Sequence, residues 1–206
     1  METKFDAIVI GGSAGAIAAL AMLLPRIPEN YPFPVIVVLH LHPLQDRYFL
    51  EHLGKTCNLR VKEADEKENI QAGYIYFAPP NYHLLIENDK TFSLSIDEKV
   101  NYTRPSIDVL FESAARAYGS HLIAIILTGA NNDGAEGLRL VKQKGGLVIV
   151  QDPKTAESSY MPTAALQATT PDFVLGLEEI GRWLANLAQT SPLPLQSQLQ
   201  DKNPET

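Results

Sequence analysis

The sequence predicts an α/β fold: a doubly wound, mainly parallel sheet with helices on both faces and an appended antiparallel hairpin. Four short runs are continuously apolar, as is typical of parallel strands that are covered on both faces. They are Ala7–Ile10, Pro34–Leu39, Leu122–Leu127 and Leu147–Val150. Helical segments lie between several of these runs, and this alternation indicates right-handed crossovers in one parallel sheet.

The composition fits one globular domain and excludes some classes of partner. The chain has 206 residues, of which 45% are hydrophobic and 20% charged, and its formal net charge is -7. A chain of this length can bury one sizeable core. The acidic balance, without any run of Lys or Arg, argues against a nucleic-acid or anionic-membrane surface. We expect one domain over residues 1–188 and, because residues 189–206 are rich in Pro, Gln and Ser, a disordered tail there.

The first apolar run belongs to an almost uncharged stretch, Ala7–Pro25, that is about as long as a secretion signal. The residues ahead of it carry no net positive charge, and Gly11–Ser13 divides it into a β-branched half and an Ala/Leu half. We therefore interpret it as strand, turn and helix. The single cysteine, Cys57, can form no internal disulfide, which is typical of proteins in a reducing compartment. The sequence therefore predicts a cytoplasmic protein.

Two helices are predicted from periodicity. Ser106–Tyr118 places Ile107, Leu110, Phe111, Ala114 and Tyr118 on one stripe. Ala135–Lys144 is a second helix that ends at a pair of glycines.

The middle of the chain has a different pattern. Tyr74–Ala78, His83–Glu87 and Thr91–Ile96 are short runs separated by Pro- and Asn-rich turns. They predict antiparallel strands in a hairpin or small meander.

A glycine-rich turn follows the first strand, and two chemistries use such a turn. A dinucleotide site needs a G-x-G-x-x-G spacing and an acidic residue after the second strand. Here Ser13 and Ala16 stand where the later glycines would be, and the second strand ends in His40. The alternative is a nucleophilic serine, Ser13, with helix N-terminal N–H groups available to an oxyanion. Ser13 could equally be only a helix N-cap.

A histidine and an aspartate are predicted at the same sheet edge. His40 directly follows the second strand, and His42 is a rival that we place farther out, at the rim. Asp133 follows the third apolar run, although with Glu136 it also makes a D-x-x-E pattern that caps helices. A serine, a base and a carboxylate that orients the base form the set required for acyl transfer.

Several blocks of the sequence together resemble one known family. These blocks are GGSAGA after the first strand, LH after the second, RPSIDVLF (104–111), ILTGANNDGAEG (126–137) and QDPKTAESSYMPTAA (151–165). Over roughly residues 5–185 the chain resembles the catalytic domain of the chemotaxis protein-glutamate methylesterase.

The resemblance implies a function and assigns roles. It implies hydrolysis of glutamate γ-methyl esters on the cytoplasmic helices of chemoreceptors, with glutamine deamidation as a related activity and with no metal or organic cofactor. Ser13 would be the nucleophile, His40 the base and Asp133 the residue that orients it. The N–H groups around Ala14 and Gly15 would hold the oxyanion.

The chain departs from the family pattern in its turns. Ala14 and Ala16 replace a threonine and a glycine of the nucleophile turn, while Ala130 and Asn131 replace a methionine and a glycine before the aspartate. Ala130 is therefore expected to widen the pocket or weaken the oxyanion geometry. Arg104 either contacts an acidic substrate helix or pairs within the fold.

Regulation and two competing functions remain open. The sequence begins directly at the catalytic strand, so we expect no control by a receiver domain in cis. The competing functions are a receptor-binding scaffold with weak catalysis and an esterase with another substrate. The oligomeric state is left undetermined.

Overall fold

A computed structural model of the protein describes residues 5–40 and 46–187, without the side chains of residues 46 and 47. The strands, in chain order, are β1 (Ala7–Gly12), β2 (Val35–Leu39), β3 (Arg60–Glu63), β4 (Tyr74–Phe77), β5 (His83–Ile86), β6 (Phe92–Ser95), β7 (Leu122–Ile126), β8 (Leu147–Gln151) and β9 (Phe173–Leu175). Seven of them form one sheet in the order β3-β4-β2-β1-β7-β8-β9, and every neighbouring pair in it is parallel. β5 and β6 form a separate antiparallel pair.

Six helices cover the sheet: α1 (Ala16–Leu23), α2 (Asp46–Thr56), α3 (Ile107–Tyr118), α4 (Ala135–Gln143), α5 (Tyr160–Ala168) and α6 (Leu177–Leu187). Alternate residues of β1 point to opposite faces, so Ile8 and Ile10 pack in the core formed with α1, α2 and α6. Ala7 and Val9 pack in the core formed with α3, α4, α5 and the β5–β6 hairpin. The sheet is thus buried on both faces, which explains its continuous apolar runs.

The chain reverses its winding direction between β1 and β7. From β1 it proceeds through β2 to one edge of the sheet, and from β7 through β8 and β9 to the other. In an open parallel sheet, the carboxyl ends of the strands on either side of such a switch point enclose the crevice where ligands bind. The segments that follow β1, β2 and β7 all meet there.

Close packing at this point explains the first glycine of the turn. A Cβ atom on Gly11 would lie 2.3 Å from Cγ2 of Ile107, at the start of α3. Ile107 is fully buried, so neither it nor the β1 backbone has room to move aside. Gly11 therefore allows α3 to approach the end of β1.

The structure confirms the predicted fold class and corrects one strand. The four apolar runs are β1, β2, β7 and β8, and the two periodic segments are α3 and α4. The run at Tyr74–Ala78, which was expected to be antiparallel, forms parallel strand β4 between β3 and β2, so only β5 and β6 make the appended hairpin. The predicted tail, residues 189–206, lies outside the described residues.

Candidate active site

The turn after β1 presents Ser13 at the carboxyl edge of the sheet. Its backbone is fixed on two sides, because the Ser13 N–H donates to the Thr128 carbonyl at 2.9 Å and the Ser13 carbonyl accepts from the Ala16 N–H at 2.9 Å. The N-cap of α1 is Gly15, in the left-handed region at φ 79°. The interpretation of Ser13 as an N-cap is therefore wrong, because Ser13 lies two residues ahead of the cap.

The N–H groups that follow Ser13 are available to a ligand. Within the described part of the chain, the N–H groups of Ala14 and Gly15 donate to no backbone or side-chain acceptor. The Ala14 carbonyl is held from the opposite side by Thr128 Oγ1, which donates to it at 2.8 Å. Two unpaired N–H groups beside a hydroxyl, at the N-terminus of a helix, form the donor set that a developing oxyanion requires.

His40 stands beside this turn. Gly12 and Leu39 are the last paired residues of β1 and β2, so Ser13 and His40 each come next in the chain, and the His40 N–H donates to the Gly12 carbonyl at 3.3 Å. His40 Nε2 lies 2.8 Å from Oδ2 of Asp133, and the two side chains are 10% and 0% exposed. The structure thus brings His40 and Asp133 into direct contact. The rival His42 lies outside the described residues.

The Asp133 side chain binds the N-terminus of α3 and not that of α4, the helix that follows it in the chain. The N-cap of α4 is Gly134, without a side-chain capping bond, so the D-x-x-E interpretation of Asp133 and Glu136 is wrong. Instead, the Ile107 N–H donates to Asp133 Oδ2 at 2.7 Å and the Asp108 N–H to Oδ1 at 3.2 Å. A carboxylate is stabilised at this position, where the first N–H groups of a helix lack intrahelical partners.

Side chains supply the remaining donors to Asp133. Asn101 Nδ2 and Ser106 Oγ donate to Oδ1 at 2.9 and 2.8 Å. Thr103 Oγ1 lies 3.2 Å from Oδ2, but its single proton is also directed at the Val100 carbonyl, at the shorter distance of 2.9 Å. With His40 and the two helix N–H groups, Oδ1 accepts three hydrogen bonds and Oδ2 accepts two, with the Thr103 hydroxyl as a further polar neighbour. Burial alone would raise the pKa of Asp133, but hydrogen bonds from His40, Asn101 and the Ile107 N–H outweigh it and lower the pKa to about 2. The Asp133 carboxylate is therefore ionised at neutral pH.

A second buried carboxylate lies next to Asp133. Asn101 Nδ2 also donates to Asp108 Oδ2 at 2.7 Å, and the Gly137 N–H donates to Asp108 Oδ1 at 2.7 Å. Burial, opposed by the Gly137 N–H and reinforced by the charge of Asp133, raises the pKa of Asp108 to about 6. Of the two carboxylates, Asp133 keeps its charge to the lowest pH.

The second ring nitrogen of His40, Nδ1, contacts Asn131. Asn131 Nδ2 lies 3.2 Å from His40 Nδ1, and Asn131 Oδ1 accepts the Asp133 N–H at 3.1 Å. No hydrogen bond joins the two described side chains of Ser13 and His40. Of the proposed triad, the structure therefore joins His40 to Asp133, and the Asn131 amide lies at the second ring nitrogen of His40.

Arg104 and Ala130 have different surroundings from those of the triad residues. Arg104 Nη1 donates to the carbonyls of Ile96 and Asp97 at 2.6 and 2.8 Å, which is the pairing within the fold that was one of the two expectations. Its side chain also lines a cavity of about 340 Å³ beside His40, so a contact with substrate stays a prediction. Ala130 is exposed on the loop after β7, and its effect on the pocket also stays a prediction.

Sequence reasoning missed the residues that hold Asp133. Asn101 and Thr103 lie in an irregular segment with no strand or helix pattern, so no sequence signal identifies them. Ser106 lies in the family-specific block RPSIDVLF, which indicated importance but not a role. Its hydroxyl was available for capping α3, yet it makes no capping bond and donates to Asp133.

Residues 5–40 and 46–187 contain no group of three or more His, Cys, Asp or Glu side chains arranged to hold a metal ion. Among the described helices, none combines the length and the hydropathy needed to cross a bilayer.

The chain is similar to proteins of one family along most of its length. The family model for CheB methylesterase matches residues 8–184. A protein from Leptospira interrogans, assigned by name as a protein-glutamate methylesterase/protein-glutamine glutaminase, is 52% identical over 91% of this chain and 97% of its own length. Protein-glutamate methylesterase/protein-glutamine glutaminase 1 of Pseudomonas aeruginosa is 37% identical over 88% of this chain, which spans about half (50%) of that protein.

A solved structure has the same architecture. The crystal structure of the Thermotoga maritima CheB methylesterase catalytic domain superposes with a TM-score of 0.84 at 36% identity, covering 89% of this chain and 98% of that domain. Sequence and three-dimensional similarity thus extend over the same part of the molecule. The chain belongs to the CheB methylesterase family.

Proposed function

We propose that the chain is a protein-glutamate methylesterase that hydrolyses glutamate γ-methyl esters on the cytoplasmic helices of chemoreceptors. The observation that carries this proposal is the contact of 2.8 Å between His40 and a buried, ionised Asp133, next to the serine turn at the start of α1. The names of the relatives support the choice of substrate. The mechanism needs neither a metal nor an organic cofactor.

The first half of the reaction uses the free ring nitrogen of His40. Because an ionised carboxylate only accepts hydrogen bonds, His40 Nε2 carries the ring proton that Asp133 binds, and Nδ1 keeps its lone pair. Ser13 Oγ attacks the ester carbonyl carbon as its proton moves to Nδ1. The N–H groups of Ala14 and Gly15 hold the oxyanion of the tetrahedral intermediate. Its collapse breaks the bond to the methoxy oxygen, which leaves as methanol with the proton from Nδ1.

The second half regenerates the enzyme. Water gives a proton to His40 Nδ1 and attacks the acyl carbon, and the Ser13 Oγ leaving group takes that proton back. The product is a glutamate side chain. A glutamine side chain passes through the same acyl-enzyme with ammonia as the leaving group, which explains how one site could serve both activities.

Methanol release from radiomethylated chemoreceptor membranes tests the proposal. The wild-type chain should release volatile methanol, and Ser13→Ala should reduce release to background. Ser13 is a partly exposed turn residue, so its substitution should leave the unfolding midpoint nearly unchanged. Equal release by both proteins would exclude Ser13 as the nucleophile.

The same membranes distinguish the two competing functions. A folded wild-type chain that binds the receptors without releasing methanol would favour a receptor-binding scaffold. Turnover of a simple ester, dependent on Ser13, without demethylation of receptors would favour an esterase with another substrate.

A further inference from the structure

The amide of Asn131 occupies the ring nitrogen on which the proposed mechanism depends. His40 Nδ1 has one in-plane lone pair, and this lone pair must receive the Ser13 proton. Asn131 Nδ2 lies 3.2 Å from that atom. Ser13 Oγ and Asn131 therefore compete for a single acceptor position.

Two independent contacts fix which way the Asn131 amide and the His40 ring face. The Asp133 N–H donates to Asn131 Oδ1 at 3.1 Å, so the other end of the amide, Nδ2, must face the ring. Asp133 Oδ2 accepts from His40 Nε2 at 2.8 Å, so the proton is on Nε2 and Nδ1 is the acceptor. In the contact between Asn131 and His40, the Asn131 amide N–H therefore donates to the lone pair of His40 Nδ1.

We propose that Asn131 holds the base in a closed resting state by donating its amide N–H to the nitrogen that must accept the Ser13 proton. Asn131 acts through His40 and is a positioning residue. This role of Asn131 rests on the proposed function and adds a restraint on the same site. The Asn131 amide must swing away from His40 Nδ1 before Ser13 can be activated.

The neighbouring residue Asn132 provides a matched control. Asn132 has the same side chain, lies one position along the same loop and is exposed. Asn131→Ala removes the competing donor, while Asn132→Ala removes an amide that contacts neither the ring nor Asp133.

The first test measures the contact without any catalysis. Nitrogen-15 NMR of the histidine ring reports whether His40 Nδ1 accepts a hydrogen bond. Asn131→Ala should shift the Nδ1 resonance towards that of a free lone pair, whereas Ser13→Ala and Asn132→Ala should leave it in place. A resonance that moves with Ser13→Ala and not with Asn131→Ala would overturn the proposal.

The second test measures the reactivity of Ser13 with p-nitrophenyl acetate, a small activated ester. Asn131→Ala should raise the rate of p-nitrophenol release about 5-fold, the factor expected for one net hydrogen bond. Asn132→Ala should match the wild-type rate. An unchanged or slower rate in Asn131→Ala would refute the restraint. Release that persists in Ser13→Ala would instead refute the proposed nucleophile, so the two failures are distinguishable.

A third variant separates the restraint from a structural role. Asn131→Asp preserves an oxygen for the Asp133 N–H but presents a second oxygen to Nδ1, which favours a proton on that nitrogen. We expect lower activity and an acid limb of the pH–rate profile displaced to higher pH. Apart from the carboxylate that Asn131→Asp adds, the charged groups near His40 stay the same in every variant: Asp133 at Nε2, and Glu63, Lys99 and Arg104, which line the adjoining cavity. A profile identical to that of the wild type would contradict the proposal.

Discussion

Replacement of Asp133 by asparagine should damage stability and catalysis together. Oδ1 accepts three hydrogen bonds and Oδ2 accepts two, so the NH₂ of an asparagine must face at least two donors in either orientation. With NH₂ at the Oδ1 position, the Asn101 amide and the Asp108 N–H lose their acceptor. With NH₂ at the Oδ2 position, the Ile107 N–H loses its acceptor, and His40 Nε2 must give up its proton to face the amide.

The magnitude follows from these contacts. The hydroxyl groups of Ser106 and Thr103 can rotate and accept, which leaves one or two buried donors unpaired at about 1–3 kcal/mol each. We therefore expect Asp133→Asn to lower the free energy of unfolding by about 3 kcal/mol at neutral pH. The orientation that harms stability least moves the ring proton to Nδ1, which then cannot accept the Ser13 proton. Methanol release should fall by roughly 10³-fold or more.

Denaturant unfolding and methanol release, measured on the same preparation, check both parts. Asp97→Asn is the matched control, because Asp97 is an exposed carboxylate, and it should change neither measurement. An Asp133→Asn protein with wild-type stability and wild-type release would refute the hydrogen-bond assignment. Loss of activity with full stability would show that Asp133 acts on His40 but contributes nothing to α3.

Two further predictions concern the turn and the second carboxylate. Gly15→Ala should abolish methanol release, because Gly15 lies in the left-handed region at φ 79° and a Cβ atom there would lie 2.7 Å from the Cβ of Glu157. Urea unfolding measures the strain that accompanies this change. Methanol release at the wild-type rate would contradict the close approach. The pKa of Asp108 rises on folding from 3.8 to about 6, so its contribution to stability is fully present below pH 4 and is lost as pH rises through 6. Asp108→Asn should therefore flatten the change in unfolding free energy between pH 4 and 6, measured by urea titration, and an undiminished slope would assign that change to other groups.

The sequence identifies the strands that are buried on both faces and does not identify those at the edges. β1 and β7 are continuous apolar runs, since neighbours cover both of their faces. β3 has the sequence RVKE and its residues are exposed or half-buried at the sheet edge, so hydropathy does not reveal it. The residues of β4 predict a strand but do not indicate its partners. Its parallel pairing with β2 and β3 places it in the main sheet.

The candidate site likewise has residues that the sequence identifies and residues that it does not. The placement of Ser13, His40 and Asp133 at one edge of the sheet could be predicted, because each follows an apolar strand and parallel strands end at one edge. The donors around Asp133 could not be predicted, since Asn101 and Thr103 reach it from a segment that is irregular. The D-x-x-E pattern misled because it describes a local capping option, whereas Asp133 binds the N-terminus of a helix that precedes it in the chain.

The contact between Gly11 and Ile107 also limits how this site can diverge among relatives. A side chain at position 11 fits only if position 107 becomes smaller, because the two would otherwise lie 2.3 Å apart. A Cβ atom on Gly134 would lie 2.6 Å from Cγ2 of the same isoleucine, so one residue fills the space between the serine turn and the loop of the aspartate. A substitution at position 11 should therefore be accepted by selection only together with a smaller residue at position 107.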